Sequence, residues 1–138
     1  MEKPDRRIRR TQKSLHDALI SLVLQKNYDS ITVQGILDRA DVGRATFYSH
    51  FKSKDELLTS GAQELRNALN SAVQGERSSS ESHEVVFGFS RGMFEHANEY
   101  REVYRGLLHT QGWPVFRKHL KEILDEIIRR ECKAEIKS

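Results

Sequence analysis

An all-α fold follows from three features of the sequence. Apolar residues recur at three- and four-residue spacings along most of the chain, as on helices that face a core. Side chains suited to starting helices, Thr32 and Ser53, stand just ahead of such stripes. Alternation of apolar and polar residues, the mark of a half-buried strand, is absent, and so is any internal repeat.

The elements follow in order. Residues 11–26 are predicted to form a helix with Leu15, Leu19, Leu22 and Val23 on its inner stripe. Asn27-Tyr28-Asp29-Ser30 breaks the pattern. Thr32 then caps a short helix to Ala40, Asp41-Val42-Gly43 makes a three-residue turn, and residues 44–51 form a second short helix. Ser53 and Glu56 have the spacing of a capping box and open a long helix, whose stripe is Leu57, Leu58, Leu65, Leu69 and Val73. Residues 75–82, glycine followed by charged residues and serines, are the one low-complexity stretch, and a break is expected at or just before them. Further helices are predicted over 85–97, 100–108 and 114 to about 130. The last carries Val115, Leu120, Ile123, Leu124, Ile127 and Ile128 on one side, with Pro114 in its first turn.

Composition narrows the function classes. Of 138 residues, 37% are hydrophobic and 31% charged, which suits a folded chain rather than a disordered one. No apolar run approaches the ~18 residues of a membrane span, and the charged N-terminus lacks the apolar core of a secretory leader. Cys132 is the only cysteine, so neither a disulfide framework nor a cysteine-based zinc site is expected. A cytoplasmic protein without cofactor or metal is the expectation. The net charge of +3 is unevenly spread. Residues 1–54 hold 11 Lys/Arg against 6 Asp/Glu, whereas the rest hold 12 against 14. The excess of positive charge in the first part points to a polyanionic partner there.

Two short helices joined by a tight turn bury too little to serve a core, and their usual use is to aim the second helix into a DNA major groove. The spacing turns Ile36 inward, leaves Ala40 small at the close approach, sets Val42 between the helices, and anchors the second helix through Phe47 and Phe51. Arg44, Ala45, Thr46, Tyr48, Ser49 and His50 are left on the outer face, a surface suited to phosphates and base edges. The basic residues Lys3, Arg6, Arg7, Arg9, Arg10 and Lys13 read either as a flexible arm on phosphates or in a minor groove, or as a solvated tail.

Residues 31–58 carry a more specific pattern, whose core is Thr46-Phe47-Tyr48, then His50-Phe51, then Lys54. In this the chain resembles the TetR family of one-component regulators, closely over residues 10–60 and beyond them only in being a set of amphipathic helices. The resemblance implies an N-terminal three-helix helix-turn-helix domain, a long linking helix and a short helical C-terminal domain, divided here as residues 1–56 and 57–138. It implies that Tyr48 and His50 clamp phosphates, that Thr46 contacts a phosphate or base, and that Lys54 contacts a phosphate from the start of the long helix. Gln34, Arg44 and Ala45 match positions that reach bases. Arg44 is the best candidate for specificity, because a guanidinium can bond guanine O6 and N7 together. Asp41 stands where the family usually turns on Gly, Gly43 replaces the usual Ser/Thr cap, and Leu37 is larger than the residue usual there.

The family's C-terminal helices enclose an inducer. Phe89, Met93, Tyr104, Trp113 and Phe116 are the candidates for such a pocket, suited to a small flat, apolar or cationic ligand; an ordinary core is the competing reading. Gly88-Phe89-Ser90-Arg91-Gly92 has the spacing of a hydrolase nucleophile elbow, but its flanks read as helical and no histidine follows Asp125. His83-Glu84 begins like a zinc-protease motif, yet Phe87 stands where the second histidine belongs. His119 and Glu122 lack a third metal ligand. An enzyme is therefore not expected. The expectation is a repressor that binds near-palindromic double-stranded operator DNA as a homodimer, held mainly by the final helix. TetR-type chains usually continue for further helices, so the sequence reads either as a truncated C-terminal domain or as an unusually short member. The alternative is a helical interaction module with the same fold and no DNA role.

Overall fold

The computed structural model describes residues 4–79 and 88–137, with side chains described for 5–71 and 90–133. Among them are α-helices α1 (Pro4–Val23), α2 (Val33–Ala40), α3 (Arg44–His50), α4 (Lys54–Ser79), α5 (Gly88–Glu99), α6 (Arg101–Leu107) and α7 (Gly112–Lys137), one 3-10 turn at Tyr28–Ser30, and no strand. The fold is all-α, as the periodicity predicted.

α1 starts earlier than its apolar stripe. Pro4 is its first residue, where a missing N–H costs nothing, and Asp5 in the first turn complements the positive end of the helix dipole. Arginine is a good helix former, so Arg6, Arg7, Arg9 and Arg10 continue the helix instead of forming an arm or tail. They are exposed on its N-terminal turns, with Lys3 outside the described residues. Further on, Leu15 and Leu19 are fully buried and Leu22 and Val23 nearly so.

The turn between α2 and α3 is built as its residues dictate. Thr32 Oγ1 accepts a hydrogen bond from the Gly35 N–H at 3.0 Å, capping α2. Asp41 ends that helix in the left-handed conformation (φ 55°, ψ 49°), which Asp tolerates better than most residues. Its N–H and that of Val42 both bond Leu37 O, closing the end of α2. Arg39 donates to Ser21 Oγ at 2.5 Å and to Gln25 Oε1 at 3.4 Å, tying α2 to α1.

Ser53 Oγ accepts from the Glu56 N–H at 3.2 Å and starts α4. That helix runs 26 residues, through Gly75 as far as Ser79, so the expected break does not fall at the start of the low-complexity stretch. One internal glycine costs about 1 kcal/mol, too little to end a helix that packs along α5 and α7. The remainder of the stretch, and the predicted helix start at residue 85, lie outside the described residues. α7 likewise extends past the expected end near Arg130 to Lys137. Residues 131–137 contain no Gly or Pro to stop it, and Glu131 is buried.

The N- and C-terminal parts share one core. Val103, Leu107, Phe116, Ile123 and Ile127 belong to the same buried cluster as Leu15, Leu19, Ile36 and Phe47. Two glycines show how closely they approach. A Cβ on Gly106 would lie 2.8 Å from the Val23 carbonyl oxygen, and one on Gly112 would lie 2.7 Å from the Tyr28 ring. Tyr28 is buried, its hydroxyl donates to Asp55 Oδ1 at 2.5 Å, and the Gln111 N–H donates to Asp29 Oδ1 at 2.9 Å. Burial, and then the bond to Asp55, push the Tyr28 phenol well above its ordinary pKa. The 3-10 turn is thus clasped by the start of α4 on one side and the start of α7 on the other.

Candidate nucleic-acid interface

α3 is seven residues long, and Phe47 is the one of them that is buried. The Phe47 ring has no exposure and packs against Phe51 (centroids 5.9 Å apart) and edge-on against Tyr48 (5.1 Å). A helix seated by a single aromatic residue gives the rest of its surface to solvent. Arg44, Ala45, Thr46, Tyr48 and Ser49 are exposed, and His50 is partly so, its ring 6.3 Å from that of Phe51.

Polar contacts organise this face before any partner arrives. Arg44 Nη2 donates to Gln34 Oε1 at 2.6 Å, and its guanidinium lies 6.0 Å from the centre of the Tyr48 ring. Gln34 Nε2 donates in turn to Asp38 Oδ1 at 2.8 Å. Ser49 Oγ donates to Thr46 O at 2.6 Å, which holds that hydroxyl on its own helix. Gln34, Arg44 and Tyr48, singled out separately in the sequence, therefore form one cluster across the turn, with Ala45 and Thr46 beside it.

Lys54 is placed differently. Its ammonium donates to Tyr28 O at 2.8 Å and Ile31 O at 2.9 Å and lies 4.4 Å from the centre of the Tyr28 ring. Two of its three N–H groups thus hold the 3-10 turn to the start of α4.

A second feature lies outside the α2–α3 turn. A cavity of about 190 Å³ opens between α1, α4, α5, α6 and α7. Of the five residues expected at a ligand pocket, Tyr104 and Phe116 line it, whereas Met93 and Trp113 pack against the core elsewhere. The Phe89 side chain lies outside the described residues. Sequence reasoning missed His16, Glu64, His96, Glu99 and Tyr100, which also line the cavity. His16, Glu64, His96 and Glu99 sit on amphipathic helices, where a polar residue carries the same sequence signal as one facing solvent, and Tyr100 lies at the turn between α5 and α6.

Residues Gly88 to Gly92 lie in α5, so their backbone does not make the strained strand-to-helix turn of a nucleophile elbow. His83-Glu84 falls outside the described residues. His119 Nδ1 lies 3.2 Å from Val115 O on its own helix, and no group of three or more His, Cys, Asp or Glu among the described residues could hold a metal.

A capped helix, a left-handed turn and a short helix with its polar face outward define a helix-turn-helix motif. Residues 15–60 match the family model of bacterial regulatory proteins of the tetR family. That match places a TetR-type helix-turn-helix domain in this third of the chain. It is similar to the uncharacterized HTH-type transcriptional regulator YxbF of Bacillus subtilis (strain 168), 40% identical over 55 residues, which are 39% of this chain and 14% of that protein. It is also similar to the HTH-type transcriptional regulator TcmR of Streptomyces glaucescens, 30% identical over 69 residues, or 50% of this chain and 30% of that one. The likeness to these curated relatives thus spans less than a third of their length. Among solved structures, a TetR transcriptional regulator from Streptococcus agalactiae 2603V superposes with a TM-score of 0.65 at 27% identity, over 95% of this chain and 69% of that one. A protein assigned to the TetR family from Syntrophomonas wolfei str. Goettingen shares the fold, with a TM-score of 0.76 at 18% identity, over 92% and 68% of the two chains.

Proposed function

We propose that this chain is a repressor that binds near-palindromic operator DNA as a homodimer in the cytoplasm and answers to a small ligand held among its C-terminal helices. The exposed face of α3 carries the proposal. Phe47 alone is buried there, while Arg44, Thr46 and Tyr48 stand outward beside Gln34. Phosphate contacts from Tyr48, His50 and Thr46 would position the head, and Arg44 with Gln34 and Ala45 would meet base edges. Lys54 reaches a phosphate only with the N–H left over from its two carbonyl bonds. The exposed arginines at the start of α1 add salt-dependent attraction along the backbone.

Two heads are required, because one contacts too few bases for useful specificity. α7 is the candidate to join them. Ile123 and Ile127 are buried within the chain, but Leu120 and Leu124 are only partly covered and Ile128 is 41% exposed. An interaction module without a DNA role is the competing reading. Electrophoretic mobility shift against the chain's flanking intergenic DNA, repeated at rising salt, separates the two. A shift that weakens steeply with salt is expected of a DNA reader, and no shift at low salt defeats the proposal.

A further inference from the structure

We propose that the cavity between α1, α4, α5, α6 and α7 binds a compact aromatic amine as its protonated cation, and that this ligand touches the reading head directly through α1. The inference rests on the ligand-responsive reading above and names the ligand's chemistry.

Size sets the first limit. A cavity of about 190 Å³ compares with the roughly 150 Å³ of an engineered cavity that accepts benzene, so one ring with a short arm fits and a fused polycycle does not.

Charge sets the second. Glu64 and Glu99 line the cavity, and no Lys or Arg is among its described lining residues. Both carboxylates lie close enough to His96 to act on its titration, but burial outweighs them and holds that imidazole below its ordinary pKa. At neutral pH His96 is therefore neutral and does not offset the two anions. A cation is favoured and a carboxylate ligand repelled.

The walls set the third. Tyr100, Tyr104 and Phe116 present aromatic surface, which attracts a cation by its quadrupole and packs against a ring. The Tyr104 hydroxyl is buried without a hydrogen-bond partner among the described residues. An oxygen left so costs free energy, and an ammonium N–H would satisfy it.

Position gives the inference its consequence. His16 and Ile20 of α1 and Leu58 near the start of α4 line the same space as His96 and Tyr104. An occupant would touch helices that carry the reading head and helices of the C-terminal part at once.

The test is calorimetric titration of the full chain with three probes of one shape: 2-phenylethylamine, 2-phenylethanol and phenylacetate. The amine is expected to bind saturably, at least about tenfold more tightly than the alcohol or the acid. The double variant Glu64→Gln, Glu99→Gln alters two exposed side chains, so it should keep its helical circular dichroism and lose the preference for amine over alcohol. No saturable binding of the amine, equal affinity for phenylacetate, or an unchanged preference in the folded double variant would overturn the inference. Mobility shifts with the same preparation keep the two proposals apart. A DNA shift without amine binding sinks the ligand assignment and leaves the DNA role standing. Amine binding that leaves DNA affinity unchanged upholds the site and sinks the ligand-responsive part of the regulatory reading.

Discussion

Arg44 is hydrogen-bonded to Gln34, Nη2 to Oε1 at 2.6 Å, so the first residue of α3 is held by the second residue of α2. On the proposed function, the guanidinium would enter a groove from a defined position rather than as a free chain. Arg44→Ala is expected to relax preference at one base pair per half-site by roughly 1–3 kcal/mol. Binding-site selection on wild type and variant measures this. An identical selected motif would mean that Arg44 touches only phosphate. Gln34→Ala should relax the same position in part, because it frees the arginine.

Tyr48→Ala and His50→Ala should weaken binding to all sequences alike, since their proposed partners are phosphates. Titrations against the selected operator and against scrambled DNA provide the comparison. Unchanged affinity in folded variants counts against the assignment, and a loss confined to the operator would make either residue a base reader.

Lys54 carries a structural prediction of its own. Its ammonium bonds the carbonyls of Tyr28 and Ile31, and hydrogen bonds to a charged group contribute about 1.5–3 kcal/mol each before solvent exposure reduces them. Lys54→Met should lower stability by about 1–3 kcal/mol in urea unfolding without any DNA present. A variant as stable as wild type would show that these bonds contribute nothing and that the residue serves only a partner.

His96 predicts a pH dependence. Burial lowers its folded pKa below 6.5, against the opposing influence of Glu99 and Glu64. Below about 6.5 the unfolded chain takes up a proton that the folded one resists, so this contribution is complete above that pH and is lost as pH falls through the window beneath it. The stability of wild type relative to His96→Gln, from unfolding midpoints, should therefore fall as pH drops across the acidic range. Parallel curves would show that the imidazole titrates freely.

The dimer is tested at Ile128, 41% exposed on α7. Ile128→Glu should leave the fold intact and turn a wild-type dimer into a monomer at micromolar concentrations by light scattering. A monomeric wild type would defeat the proposed role of α7.

The head was legible in the sequence because each of its elements has a local cause. Thr32 caps, Asp41 turns left-handed and Phe47 is buried, all within a span where short-range rules decide geometry. The early start of α1 is not legible in the periodicity, because its first turns have no apolar stripe; their helicity comes from Pro4, Asp5 and the arginines. The extent of α4 past Gly75 was hidden for a related reason, since packing along α5 and α7 outweighs the local cost of glycine. The inward turn of Lys54 rests on carbonyls more than twenty residues away, which no local pattern encodes. The cavity was the least legible part. Tyr104 and Phe116 stood out as aromatics, but His16, Glu64 and Glu99 meet only when α1, α4 and α5 come together.

The seat of Gly112 against the Tyr28 ring bears on how regulators of this kind exchange parts in evolution and in engineering. Heads and bodies are tempting units to recombine, since on the proposed function one would meet DNA and the other a ligand. Here the junction is a lock with no play: any side chain at residue 112 collides with the aromatic ring, and Gln111 is latched to Asp29. A transplanted head that lacks an aromatic at the equivalent of Tyr28 would leave a hole beneath the body. A transplanted body that lacks glycine at 112 would be pushed off its seat. Hybrids therefore have to carry both halves of this joint across together.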